Sequence, residues 1–401
     1  MIRQAVISGG VAYHHGLMQP GEILADFEII DIGELASVDL NQYDLVLVPR
    51  STDGDVLRAR RYQFARFLDR GGVLIAFGES WSGWLPGSRW EPECAEDVIE
   101  PVLTSQHPLV AGSSPADLHW HPALESWCCH GHFLAPEGAE VLVQNQRGDA
   151  WLSIDRTTTN GVIVASSNLD PDTHAYHGSP RARAFFERLL LWARAEAELT
   201  AERRNWIAPK IAGLFSGVHF QKGFYEDTEF GPQFSVLPVW ELAAAELHDF
   251  AALWIPRESN QNVLMANRDK LRQYLEQGGT IVSFEMANQP WLPAGEWELR
   301  PAQMDAIRIL DHPMVAHLTI DDVKWHSHGL YSEYPGAKVL IDDAGEGVIL
   351  FLDETTFAGT LIAGTLDPDC HVGFGTQRTR PLLRALVEWV LQPQGVGVAV
   401  S

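Results

Sequence analysis

The stretch Tyr43-Asp-Leu-Val-Leu-Val-Pro49-Arg50 is repeated 207 residues later as Phe250-Ala-Ala-Leu-Trp-Ile-Pro256-Arg257. Each version is an apolar run that ends in proline and arginine, the pattern of a buried strand followed by a turn. A repeat of this length is too long for a solenoid and is typical of two copies of one whole domain. The sequence therefore predicts two domains, copy one at residues 1–197 and copy two at residues 208–393, joined by a polar segment.

Matching blocks continue along both copies, so any functional interpretation can be tested twice. They are Gly71-Gly72 with Gly278-Gly279, Trp84-Leu85-Pro86 with Trp291-Leu292-Pro293, His107-Pro108 with His312-Pro313, Trp120-His121 with Trp325-His326, and Leu169–His174 with Leu366–His371. The shift falls from 207 to 205 and then to 197 along the chain, and the deletions fall where surface loops are expected.

Hydrophobic periodicity predicts the same order of elements in each copy. In copy one the predicted elements are strands at Gln4–Gly9, Phe27–Ile32, Leu45–Val48 and Val73–Phe77, a helix at Asp55–Arg70, short strands at Glu140–Asn145, Ala150–Ile154 and Gly161–Ser166, and a final helix at Arg181–Ala197. Strands that alternate with helices over short connections indicate an α/β fold, here two tandem doubly wound domains with mainly parallel sheets.

The composition argues against several classes of protein. A net charge of −24 is unfavourable for a general surface that binds nucleic acid or anionic membranes. No apolar run reaches the ~18 residues needed to span a bilayer, and the first residues resemble a strand rather than a signal peptide. The four cysteines do not occupy equivalent positions in the two copies, so we expect a reducing, cytoplasmic location.

The order of the blocks resembles the class I glutamine amidotransferase-like fold, a flavodoxin-like architecture, and most of all its ThuA (trehalose utilisation) branch. The blocks that carry the resemblance are Tyr43–Arg50, Phe64–Phe77, His107–Val110 and Gly161–Leu169, each with an equivalent in copy two. The resemblance implies a small-molecule pocket and a sugar-related role.

Amidotransferases of this class hold a cysteine in the turn after the strand that here ends at Phe77. The sequence has Gly78-Glu79-Ser80-Trp81 at this turn and Glu285-Met286-Ala287-Asn288 in copy two. Neither turn supplies the thiolate that the chemistry requires, so we do not expect glutamine hydrolysis by the usual route. Ser80, beside Glu79, is a candidate substitute nucleophile, although the turn lacks the Gly-x-Ser-x-Gly pattern.

The recurring Asp-Pro-Asp-x-His block is the first candidate for other chemistry. Asp170 and His174 in copy one, and Asp367 and His371 in copy two, combine a carboxylate with an imidazole, as general acid–base catalysis requires. The alternative is a turn followed by a helix N-cap, which aspartate and proline favour for geometric reasons.

The Trp-His block is the second candidate. Trp120 with His121, and Trp325 with His326, would supply an indole platform for a ring-shaped ligand and an imidazole that hydrogen-bonds to it. The alternative is a packed indole beside a surface histidine.

Arg50 and Arg257 follow strand ends, where a guanidinium suits an anionic ligand group or an ion pair with a carboxylate. Glu285, in the turn of copy two, is a further candidate for ligand binding. The run Cys128-Cys129-His130-Gly-His132 does not match the usual spacing of zinc ligands. The sequence therefore predicts no metal and no cofactor.

Three functions are compatible with these features. The preferred one is a non-amidotransferase that binds a small polar, carbohydrate-like ligand or a protein partner, with the two copies paired about a pseudo-two-fold axis. The second is a hydrolase or isomerase that acts on a carbohydrate-like molecule through the duplicated Asp/His cluster. The third is a subunit of a larger assembly.

Overall fold

The chain divides into two compact units, unit 1 at residues 1–207 and unit 2 at residues 208–401. The structure is a computed structural model and describes residues 2–79, 83–92, 100–120, 131–203, 210–344 and 347–392. Both units are α/β, as the sequence predicts.

Unit 1 is built on one ten-stranded sheet. Its strands are β1 (Gln4–Ser8), β2 (Glu28–Asp31), β3 (Leu45–Val48), β4 (Val73–Phe77), β5 (Arg89–Pro92), β6 (Val102–Leu103), β7 (Gly131–Leu134), β8 (Glu140–Gln144), β9 (Ala150–Asp155) and β10 (Val162–Ser166). Its helices are α1 (Ala12–Leu17), α2 (Gly54–Ala59), α3 (Arg61–Asp69), α4 (Pro171–Tyr176) and α5 (Pro180–Arg203).

Unit 2 repeats this series of strands and helices. Its strands are β11 (Ile211–Phe215), β12 (Phe234–Pro238), β13 (Ala252–Ile255), β14 (Thr280–Ser283), β15 (Trp297–Glu298), β16 (Ile307–Ile309), β17 (Leu330–Tyr331), β18 (Ala337–Asp343), β19 (Val348–Asp353) and β20 (Thr360–Gly364). Its helices are α6 (His219–Tyr225), α7 (Gln261–Ala266), α8 (Arg268–Glu276), α9 (Pro368–Gly373) and α10 (Arg380–Leu391).

The strand order defines the topology of each sheet. In unit 1, β2-β1-β3-β4-β10 run parallel, and the order β2-β1-β3-β4-β10-β9-β7-β5 continues through antiparallel pairs. Unit 2 has the identical order, β12-β11-β13-β14-β20-β19-β17-β15. The parallel half matches the flavodoxin-like order, in which ligands bind at the carboxyl ends of the strands, near the point where the chain changes direction along the sheet.

Alternation along the central strands explains why both faces of the sheet are covered. Leu45 and Leu47 pack on one face with the residues of α5. Val46 and Val48 pack on the other face with the residues of α3. A strand with two buried faces needs a continuous apolar run, which is why this segment is so recognisable in the sequence.

The single helix predicted at Asp55–Arg70 is wrong, because two helices, α2 and α3, meet at Arg60. Arg60 has φ −110° and ψ 12°, so it ends one helix and precedes the other. Asn267 makes the same break between α7 and α8. Sequence periodicity spans this break because both short helices turn their apolar sides to the same sheet face. Among the described residues, no helix is long and apolar enough to cross a membrane.

Two glycines allow α6 and α9 to cross closely in unit 2. A Cβ on Gly223 would lie 2.3 Å from the carbonyl oxygen of Gly373, and a Cβ on Gly373 would lie 1.9 Å from that of Phe220. The equivalent Gly16 in unit 1 faces the ring of Tyr176 at 2.3 Å instead of a backbone atom. The crossing positions α9, which carries the candidate residues at its start.

We predict that Gly223→Ala destabilises the protein by about 1–3 kcal/mol, because a backbone atom cannot move aside for the new methyl group. Helix propensity alone predicts the opposite sign, a gain of about 1 kcal/mol. Gly16→Ala is the matched control, since the Tyr176 side chain is 42% exposed and can rotate away. Calorimetric unfolding of both variants measures the difference, and a stabilised Gly223→Ala protein would contradict the close crossing.

Candidate functional site

Four polar residues of unit 1 meet at the carboxyl edge of the parallel strands. Arg50, just after β3, donates to Glu79 from Nη2 at 2.7 Å and from Nε at 3.3 Å. Its Nη1 lies 3.3 Å from Oδ2 of Asp170, and its backbone N–H donates to Asp172 at 3.0 Å. We call Arg50, Glu79, Asp170 and Asp172 the arginine cluster. It confirms the ion-pair alternative for Arg50.

The arginine cluster contains more carboxylates than cations. Asp170 and Asp172 are 2% and 0% exposed. Burial raises the pKa of Asp170 to about 8, and Arg50 opposes this only in part. Burial also raises the pKa of Asp172 to about 6. The cluster therefore holds a proton near neutral pH, which suits it to donate as well as accept hydrogen bonds.

The positions of these carboxylates follow from local sequence. Asp170 occupies the N-cap position of α4, and Pro171 begins the helix, as the turn interpretation predicted. Its side chain makes no capping hydrogen bond but turns to Arg50. The N-cap alternative is therefore right about position, while the carboxylate itself belongs to the arginine cluster.

His14 of α1 joins the ends of β1 and β3. Its Nδ1 accepts from the backbone N–H of Gly9 at 3.0 Å, and its Nε2 lies 2.8 Å from the carbonyl oxygen of Arg50. Because a backbone N–H only donates and a carbonyl only accepts, the imidazole is neutral with its proton on Nε2. Burial lowers the pKa of His14, which favours the same form.

Gln221 makes the equivalent bridge between strand ends in unit 2. Its Oε1 accepts from the N–H of Ser216 at 2.8 Å, and its Nε2 donates to the carbonyl oxygen of Arg257 at 2.7 Å. A glutamine amide offers one donor and one acceptor at a spacing similar to that of a neutral imidazole. His14 therefore bridges two backbone groups, and this structural role accounts for its presence without any catalytic role.

Unit 2 has a different cluster at the same edge. Arg257 donates from Nη1 to Oδ2 of Asp367 at 3.0 Å and lies 2.6 Å from Nε2 of His328. Nε2 of His326 lies 2.8 Å from Nε2 of His328 and 3.3 Å from Nε2 of His371. We call His326, His328, His371 and Asp367 the histidine cluster. Its members His326, His328 and Asp367 have the composition and proximity of a metal-binding group.

The two units differ in the ionisation state of their buried aspartates. Burial alone would raise the pKa of Asp367, but His326, His328 and Arg257 outweigh it and hold the pKa below its ordinary value. Asp367 is thus a carboxylate, whereas its counterpart Asp170 is largely protonated at neutral pH. Burial raises the pKa of Glu285 to about 7, since its hydrogen bonds from Ser259 and Gln261 only partly compensate.

The two recurring blocks meet in both units. The rings of Trp120 and His174 lie 6.0 Å apart in a T-shaped contact, and those of Trp325 and His371 lie 5.9 Å apart in the same arrangement. Trp120 is only 2% exposed and packs on Phe185, so it offers no open face to a ligand. Trp325 is partly exposed, and its indole donates to the carbonyl oxygen of Leu366 at 2.6 Å.

Backbone strain recurs immediately after each arginine. Ser51 and Glu258 both have φ of 60°, a left-handed backbone conformation that residues other than glycine rarely adopt. Asp367 is also left-handed, with φ of 41°. Such strain persists only where the surroundings enforce it, and it concentrates at functional sites.

Two predicted residues, Ser80 and His121, lie outside the described residues, as do Cys128, Cys129 and His130. Of the others, Arg50, Glu79 and Asp170 lie together, and Trp120 and His174 contact each other. In unit 2, Arg257, His326, Asp367 and His371 meet, while Glu285 binds the backbone of Ser259 at 2.7 Å.

Sequence reasoning missed His328, although one pattern would have revealed it. Residues 326–328 read His-Ser-His, and in an extended segment alternate side chains point to the same side. It also missed Tyr13, whose hydroxyl donates to the carbonyl oxygen of Arg50.

A groove of about 470 Å³ elsewhere in unit 2 is lined by Phe230, Arg384 and Leu391 among other residues. These residues belong to α10 and to the turn before β12, and none of them is part of the histidine cluster. The groove is therefore separate from the candidate site.

Comparison with known proteins gives only a general likeness. No family model and no curated protein matches the chain. A cytoplasmic protein of Salmonella typhimurium is 13% identical, with a TM-score of 0.33, and the match covers 49% of this chain and 98% of that one. A glutamine amidotransferase of Thermotoga maritima is 10% identical, with a TM-score of 0.30, over 51% of this chain and 93% of that one. An alpha-L-fucosidase of Paenibacillus thiaminolyticus is 14% identical, with a TM-score of 0.32, over 53% and 37%. At TM-scores this low, these similarities carry no functional argument.

We predict that Asp170→Asn makes stability less dependent on pH. Because the folded pKa of Asp170 is about 8, the folded state keeps a proton that the unfolded chain loses near its ordinary pKa of about 4. The stabilisation is complete below that lower value and is lost as the pH rises towards the folded pKa. Thermal unfolding at pH values of about 5 and about 8 should show a smaller loss in the variant. Equal losses in the two proteins would show that Asp170 is ionised.

We predict that His14→Gln preserves stability, whereas His14→Ala costs about 1–3 kcal/mol because two buried backbone groups lose their partner. Gln221→His in unit 2 is the reciprocal control. Calorimetry measures all three variants, and equal losses in the glutamine and alanine variants would contradict the bridging role.

Proposed function

We propose that the protein is a non-amidotransferase that binds a small polar, carbohydrate-like ligand at the carboxyl edge of its parallel strands. A protein partner at the same edge is the alternative occupant. The amidotransferase-like, ThuA-like resemblance of the sequence motivates the class of ligand. The observation that carries the proposal is the duplicated pairing of an arginine with a buried aspartate at this edge.

The absence of a reactive thiol supports a non-amidotransferase. The turn after β14 reads Glu285-Met286-Ala287-Asn288, and the turn after β4 also contains no cysteine. Within the described part of the chain, the sole cysteine is Cys370, which is buried in α9. Burial and the neighbouring carboxylates raise its pKa, so it stays a neutral thiol and a poor nucleophile.

Buried acceptors support a hydroxyl-rich ligand. Oδ1 of Asp170, Asp172 and Asp367 makes no hydrogen bond of normal geometry to any described residue. Buried acceptors without partners are costly, so a side-chain movement that brings one of them to a polyol hydroxyl would be favourable. The side chains of Arg50 and Arg257 are 20% and 21% exposed, so a ligand can reach both guanidinium groups.

A hydrolase or isomerase is the second candidate, and one observation favours it. Asp170 and Asp172 have pKa values of about 8 and about 6, which fit an acid and a base that work near neutral pH. The raised values also follow from burial alone, so they do not require catalysis.

We predict that monosaccharides, disaccharides or polyols raise the melting temperature of the full chain, because a ligand that binds only the folded state stabilises it. Arg50→Lys keeps the charge but loses the forked geometry, so it should reduce the shift; Arg257→Lys tests unit 2 in the same way. Arg58→Lys is the matched control, since Arg58 is 58% exposed and outside the arginine cluster.

Glutamate release from glutamine, measured on the same samples, should be absent. Ligand turnover that Asp170→Asn abolishes while binding persists would favour the hydrolase or isomerase. No shift with any compound in the panel would contradict carbohydrate binding and leave the protein partner as the occupant to test.

A further inference from the structure

We propose that unit 2 binds one divalent late first-row transition metal ion through His326, His328 and Asp367, with His371 as a fourth donor. This site shares Asp367 and Arg257 with the unit 2 edge of the proposed function, but the metal proposal does not rest on a carbohydrate-like ligand. The ligand atoms of these residues converge at the carboxyl edge of β13 and β20.

The distances between the donor atoms fit one ion. Nε2 of His326 and Nε2 of His328 are 2.8 Å apart. His328 lies 3.4 Å from Oδ2 of Asp367, and His326 lies 3.5 Å from Oδ1. Ligands of a tetrahedral ion with bonds of 2.0–2.1 Å are separated by about 3.3 Å. One ligand atom from each of the three side chains lies within 4.8 Å of the other two, so side-chain movements would complete the coordination.

His371 lies at the edge of this group. Its Nε2 is 3.3 Å from that of His326 and 3.8 Å from Oδ1 of Asp367. It is held by the T-shaped contact with Trp325. A third imidazole nitrogen next to the same carboxylate makes the site richer in nitrogen than a magnesium or calcium site, and imidazole-rich sites select zinc, copper, iron or nickel.

The carboxylate of Asp367 has one oxygen that is placed to bind an ion. Asp367 is 0% exposed, and its Oδ1 makes no hydrogen bond of normal geometry to any described residue. Its other oxygen, Oδ2, accepts from Arg257 at 3.0 Å. A metal-ligating carboxylate is itself held by a hydrogen bond of this kind, which leaves one oxygen for the ion.

Arg257 contacts the same histidine nitrogen that the ion would bind. Its Nη1 lies 2.6 Å from Nε2 of His328, so the guanidinium and an ion compete for the same lone pair. Metal binding therefore requires Arg257 to release His328, but it does not require Arg257 to leave Asp367. The imidazoles must also be neutral to bind the ion.

Unit 1 is an internal control. The Trp-His block of copy two continues to His328, whereas the equivalent position in copy one is Ala123. Asp170 has Arg50 as its cation and a raised pKa, so it is a poor metal ligand at neutral pH. The stoichiometry should therefore be one ion per chain.

The test uses the full chain without a histidine tag, stripped of metal by a chelator and dialysed. Calorimetric titration with Zn²⁺ should show one strong site per chain, and Co²⁺ should give the visible d–d absorption of a site with nitrogen ligands. His326→Ala, His328→Ala and Asp367→Asn should each weaken binding by at least about 100-fold, since even outer partners of metal ligands cost 10–100-fold. His371→Ala should have a smaller effect.

His317→Ala is the matched control and should bind as the wild type does. His317 is an exposed histidine of unit 2 outside the histidine cluster. His328→Gln replaces the alanine variant if the latter does not fold, which circular dichroism checks. Binding that survives both His328→Ala and Asp367→Asn, or that falls equally in His317→Ala, would overturn the site. A weak uptake of several ions per chain would do the same. None of these results bears on sugar binding at the Arg50–Asp170 pair of unit 1.

Discussion

A buried aspartate that faces an arginine across the edge of a parallel sheet is the interaction on which both units depend. Asp170 is held by Arg50, and Asp367 by Arg257, in each case between the end of one central strand and the helix after another. In unit 2 the pair is ionic, and loss of one partner of a buried ion pair leaves an uncompensated charge that costs about 3–5 kcal/mol. The pair therefore fixes which loops meet at this edge.

Around that shared pair the two units have different electrostatics. Unit 1 surrounds its arginine with carboxylates, and burial keeps a proton among them. Unit 2 surrounds its aspartate with imidazoles, and Asp367 stays ionised. The same strand order thus supports two different sites, which is why the fold by itself does not define the function.

The sequence predicted the elements that repeat and the edge where the candidates meet. It found β3 and β4 to the residue, because a strand with two buried faces needs an unbroken apolar run. It missed the break at Arg60, because a break that keeps both apolar sides on the sheet leaves the periodicity intact. It missed His328 because comparison of the copies highlights shared residues, whereas this histidine occurs in unit 2 alone. It also left open which carboxylates are ionised, since that depends on burial.

The exchange of His14 for Gln221 makes one backbone bridge sensitive to acid in unit 1 and insensitive to acid in unit 2. A protonated imidazole is a donor at both nitrogens, so it can no longer accept from Gly9, and the strand ends of unit 1 lose this bridge. The carboxamide of Gln221 has no proton to gain in this range, so the bridge in unit 2 persists. Acidification therefore removes a backbone contact from unit 1 that unit 2 keeps.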